Sequence, residues 1–151
     1  MAPAGLVNIL DEMADQIRAA VVTVTDVDVQ VEPRMVPNPT PPTIDIYPGD
    51  SPRDRDTAGF AVDDDEGWYI TVRARVGTAD NFAGQDLLLA LMDPTNALSV
   101  GQALYDEPTL NGYATDLDIV AQTGYIAIPD LDGAATRLGC QWTVRVVPAV
   151  T

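Results

Sequence analysis

Apolar and polar residues alternate along this chain with two different periods. Between residues 6 and 21, Leu6, Leu10, Met13, Ile17 and Ala20/Val21 recur at steps of three and four, while Asn8, Asp11, Asp15 and Arg18 fall elsewhere on the helical wheel. That spacing predicts an amphipathic helix whose apolar stripe packs on a sheet. The period then drops to two. Val27, Val29 and Val31 alternate with Asp28, Gln30 and Glu32, and Ile44 and Ile46 alternate with Thr43, Asp45 and Tyr47. Trp68, Ile70, Val72, Ala74 and Val76 alternate with Tyr69, Thr71, Arg73 and Arg75; Leu138, Cys140, Trp142, Val144 and Val146 alternate with Gln141, Thr143 and Arg145. Four half-buried strands follow, each with an apolar and a polar face, as in a mainly antiparallel sheet covered on one side.

A fifth strand is predicted over Tyr113–Gln122, with Tyr125–Ile128 extending the set. Asp80 can cap a second helix through Asn81–Met92, which Asp93-Pro94 stops. Its Leu87-Leu88-Leu89 and Leu91-Met92 are apolar on more than one face, so it needs a neighbour besides the sheet: the first helix or another subunit. A short helical turn is expected at Ser99–Tyr105. Two connections interrupt these elements. Residues 33–42 hold Pro33, Pro37, Pro39, Pro41 and Pro42, which makes the segment extended and stiff. Residues 48–67 form a long loop that includes Asp63-Asp64-Asp65-Glu66. The fold class is α+β, one domain over residues 1–151, a mostly antiparallel sheet with two main helices packed on one face.

Composition narrows the chemistry. The chain has no histidine, and all eight of its basic residues are arginine. The usual general base near neutral pH, Schiff-base lysine and the lysine of a phosphate loop are therefore missing. The single Cys140 forms neither a disulfide framework nor a thiolate zinc site, and its place beside Trp142 marks it as a core residue. A net charge of −15 opposes any grip on phosphates, although a protein can surround DNA without gripping it. No apolar run approaches the roughly 20 residues of a membrane span. Met1-Ala2-Pro3-Ala4 does not read as a secretory signal, so the expectation is a soluble protein of a cytoplasm.

Little of the remaining chemistry is specific. Asp63–Glu66 offers four adjacent carboxylates on one loop, which rarely converge on a cation. Asp130-Leu131-Asp132-Gly133 begins like a calcium loop, but Ala134 stands where the next oxygen ligand belongs, and an Asp-Gly turn explains it better. Ser51 and Ser99 have no histidine partner. No catalytic residue, metal ligand or cofactor site is assigned, and the expectation is a non-enzyme. The polar sheet face is more informative: Arg73, Arg75 and Arg145 rise there with Asp28, Glu32 and Asp45. Cross-strand ion pairs within one chain would satisfy them. Alternatively, these arginines, with Leu88 and Leu89, contact a neighbouring subunit.

The order of elements, the middle segment and the ending Leu138–Val146 carry a resemblance. After the Leu-rich helix come Asp93-Pro94-Thr95-Asn96-Ala97-Leu98-Ser99-Val100 and then Leu104-Tyr105-Asp106-Glu107-Pro108-Thr109-Leu110-Asn111-Gly112. The chain resembles the tail-terminator and head–tail joining proteins of long-tailed, siphovirus-type bacteriophages, particularly those of actinobacterial hosts. Asn111 departs from their acidic–Pro–Thr–Leu–Gly turn. The resemblance implies a virion subunit at the head–tail junction, assembled in the host cytoplasm into a homo-oligomeric ring, commonly a hexamer. Such a ring caps the tail tube and meets the neck connector, and DNA passes through it unbound. Asp63, Asp64, Asp65 and Glu66 are then candidates for the lumen or for a docking loop. Another neck or head-completion adaptor, or a soluble acidic protein-binding module, is the alternative.

Overall fold

The computed structural model describes residues 5–22, 29–37, 39, 42–49, 67–77, 82–129, 133 and 136–149. Helix α1, Leu6–Val22, buries Leu10, Met13, Ile17 and Val21 of the stripe that the three-and-four spacing predicts, with Ile9 and Ala14 beside them, while Leu6 and Ala20 are partly exposed. Arg18 pins its far end: Nη2 donates to the Val31 carbonyl at 2.6 Å and Nη1 meets Asp15 at 2.7 Å. Five strands follow the second period: β1 Gln30–Glu32, β2 Thr43–Pro48, β3 Trp68–Arg75, β4 Ala114–Pro129 and β5 Thr136–Pro148. Val27 and Asp28 lie outside the described residues. The strands form one sheet in the order β1-β2-β3-β5-β4, with β1 and β2 parallel and every other pair antiparallel. The fold is α+β.

Helices α2 (Phe82–Met92) and α3 (Val100–Asp106) complete the covered face. The proposed cap at Asp80 lies outside the described residues. α2 packs on β5 and α3, so its second neighbour inside the chain is α3. Asp93 shapes the stop after α2, its Oδ1 accepting from the Thr95 N–H and hydroxyl at 2.9 and 2.8 Å. Those bonds hold the Asp93 carboxyl below its ordinary range. Ser99 caps α3 by accepting from the Gln102 N–H at 3.1 Å. A short 3-10 turn, Leu110–Gly112, then hands the chain to β4. Leu110, Asn111 and Gly112 all take positive φ there, 49°, 54° and 92°. Asn and Gly tolerate that conformation, and Leu110 is held in it by complete burial.

The second face of the sheet differs from expectation. It was read as a solvated polar face, yet Thr43, Asp45 and Arg75 are buried on it, with Tyr69. The reason is topological. Parallel neighbours β1 and β2 require the chain to travel back between them. Among the described residues of the proline-rich segment none is helical, and Val36 lies against the sheet face that carries Asp45 and Arg75. Val36 N–H donates to Asp45 at 3.0 Å, and the Val36 carbonyl accepts from Arg75 at 2.6 Å. Proline removes amide donors from this strap, so few of its backbone groups need partners on the way across.

Candidate functional site

Asp45, Arg73 and Arg75 are the densest cluster of ionised groups in the described structure. Adjacent antiparallel strands place them: Asp45 stands opposite Arg73 in the register of β2 and β3, with Arg75 two residues further along β3. Asp45 Oδ1 accepts from Arg73 Nε at 3.0 Å, and Oδ2 accepts from Arg73 Nη2 at 2.6 Å and from Arg75 Nη2 at 3.0 Å. Arg73 also lies over the Tyr47 ring, 5.0 Å from its centroid. Burial raises the Tyr47 phenol above its ordinary range and Asp45 adds to this, while Arg73 and Arg75 pull it back. The strap shields the cluster from water, so its residues bind one another and present no open position for a substrate. Its chemical work is to clamp strap, β2 and β3 together.

The candidate interface residues differ in exposure. Arg75 is 1% exposed and Leu88 is fully buried, so neither has surface to offer a neighbour. Arg73 is engaged with Asp45 inside the chain. Arg145 is half-buried, in register with Asp118 on β4 and Tyr69 on β3. Leu89 alone among the proposed apolar contacts stands half exposed. Asp63, Asp64, Asp65 and Glu66 lie outside the described residues, as does Asp130-Leu131-Asp132. Cys140 is buried in the core, and desolvation pushes its thiol up to about 12.

Two recesses flank α3. One, about 280 Å³, lies between the end of α2, the start of α3 and the middle of β4; Met92, Pro94, Tyr105, Ile119, Gln122 and Trp142 form much of its wall. Trp142 Nε1 donates to Gln122 Oε1 at 3.1 Å behind it. At its rim the Tyr105 hydroxyl accepts from the Ile119 N–H at 2.8 Å and donates to Asp118 at 3.0 Å. The second recess, about 370 Å³, separates α1 from α3 beside Gln16, Asp106 and Glu107. Gln16 Nε2 donates there to the carbonyls of Ala103 and Glu107 at 3.3 and 3.2 Å. Burial, then the charges of Asp15 and Glu107, raise the nearby Glu12 carboxyl. Neither recess pairs a nucleophile with a base. Among the described residues no three His, Cys, Asp or Glu side chains gather as metal ligands, and no helix is long and apolar enough to cross a membrane.

What sequence reasoning missed is the surface beside the first recess. Phe82 and Leu89 project outward from α2, and Tyr125 of β4 joins them by donating to Gln85 Oε1 at 2.9 Å. Phe82 and Leu89 stand seven residues apart in the sequence, but the run Leu87-Leu88-Leu89 hides which of its members faces outward. Tyr125 was hidden by its backbone. It takes φ 53° at a register shift between Thr123 and Ile126, where simple alternation fails. The chain matches no protein-family model and no curated protein.

Proposed function

We propose that this chain is a structural virion subunit of a tailed bacteriophage, a tail terminator that assembles into a ring between tail tube and neck, and that it works without catalysis. The observation that carries the reading is the segment from α2 to β4. There an apolar helix, an Asp-Pro stop, a Ser-capped short helix and a Glu-Pro-Thr-Leu turn follow one another in the order the resemblance calls for. The buried clamp at Asp45 and the catalytically poor recesses fit a part whose task is shape. Charge fits as well. A subunit of net charge −15 lining a channel keeps passing DNA from adhering. Arginine substitutions through Asp63–Glu66 should leave the ring assembled and slow DNA ejection if that run faces the lumen.

Light scattering on the purified protein, followed by negative-stain imaging of the same sample, tests the reading. Rings, formed alone or on addition of the tail-tube protein encoded in the same genome, are the expected result. A monomer at high concentration that still fails to assemble with tail tubes would overturn it in favour of an acidic adaptor that binds one basic partner.

A further inference from the structure

We infer that the outer face of α2, with the adjoining middle of β4, is the surface on which a second copy of this chain docks. Phe82 and Leu89 stand two helical turns apart and so share one stripe, 77% and 50% exposed. Gln85 lies between them, and its bond to Tyr125 brings a second exposed ring alongside. The Met92 methyl occupies the space beside Gly124 that a Cβ would take, so helix end and strand are in contact there. Met92 and Gln122 also wall the recess of about 280 Å³, so the strip runs into a hollow that can take a projecting side chain. Strand addition is not the mode of contact at Ile119. The Tyr105 hydroxyl already holds that edge amide, leaving side chains to make the interface.

Charge identifies the occupant. α2 carries one ionised group, Asp86, in its 11 residues, and the stretch 119–129 of β4 carries none. The whole chain has 23 acidic and 8 basic residues, so most of its surface repels a second copy. Two copies meet at least cost where carboxylates are fewest and apolar side chains are exposed, and α2 brings a single exposed carboxylate, Asp86, to this face. A basic partner would be drawn instead to Asp11, Asp15, Asp106 and Glu107, which are exposed along α1 and at α3 and its end. The inference rests on the self-assembling reading above and adds the surface to it.

Leu89→Asp and Phe82→Asp in the full chain test it by sedimentation velocity, alone and with tail-tube protein. Leu89→Met serves as the conservative control, and circular dichroism checks the fold. The Asp variants should lower the self-association constant at least about tenfold, about 1.4 kcal/mol, while Leu89→Met retains it. Asp variants that associate like the wild type would overturn the surface while leaving the ring reading intact; a wild type that never self-associates removes both. A photocrosslinker on Leu89→Cys, aided by the burial of Cys140, should yield a product of twice the chain mass. A product whose mass is not a whole multiple of the chain mass overturns the assignment to a second copy.

Discussion

Asp45 shows how much one side chain can hold when it is buried among opposite charges. Two guanidiniums and the strap amide at Val36 converge on its carboxylate, which is wholly shielded from solvent. Removing one partner of such a group leaves the others desolvated without compensation, at a cost of about 3–5 kcal/mol. Asp45→Ala should therefore lose roughly that much in urea denaturation; a loss under about 1 kcal/mol would show that water reaches the cluster freely. Cys140 makes the opposite point about reactivity. Its thiol is neutral in the fold because burial raises it to about 12 from an ordinary 9.0. The folded state thus binds a proton more tightly than the unfolded state. The resulting stability is complete below pH about 9 and falls as pH rises toward about 12. At pH 8 a thiol reagent should label Cys140 only at the rate of unfolding, and rapid labelling of native protein would contradict its placement.

At the scale of elements, the edge strand β4 is the part of the sheet that must be managed. Three register shifts interrupt it, and Tyr105 reaches from α3 to hold the Ile119 amide. Tyr105→Phe removes that acceptor and its bond to Asp118 while keeping the ring. The Ile119 amide should then exchange much faster in hydrogen-exchange measurements, with global stability down by about 1 kcal/mol. Unchanged protection at Ile119 would mean that another group closes the edge. These elements differ in how far the sequence announces them. α1, β2, β3 and β5 each bury one set of side chains at a constant period, and periodicity finds them. β4 is harder, because each bulge resets the alternation, as at Tyr125. The strap over Asp45 is harder still. Nothing local in Val36 or the prolines says which face they cross, and the parallel pairing of β1 with β2 demands a crossing without naming its face. The clamp residues were all marked as polar-face positions, but their burial depended on a chain path that alternation does not encode. The outer strip was half legible, through Leu89, and its other half needed the folded position of Tyr125.

For the whole molecule the governing quantity is the balance between a charge of −15 and an apolar strip that carries one carboxylate, Asp86. The two readings of this acidic chain respond to salt in opposite directions. A complex steered by carboxylates toward a basic partner weakens as ions screen the attraction. Self-association through a sparsely charged apolar strip strengthens, because salt screens the repulsion between like-charged bodies and leaves apolar contact untouched. Raising the salt from ~0.01 M to ~1 M shortens the screening length from about 30 Å to about 3 Å, from more than a subunit radius to a contact distance. Sedimentation velocity across that range should show the self-association constant rising with salt. Lowering the pH from 7 toward the isoelectric point near 4.1 acts on the same term, since protonation removes the repulsion. Association should therefore also grow as pH falls, up to the point where protonated carboxylates begin to loosen the fold. A constant that falls with added salt would place ion pairs at the heart of the contact and point away from the α2 strip. It would favour an acidic surface meeting a basic one, as an adaptor rather than a ring subunit would use it.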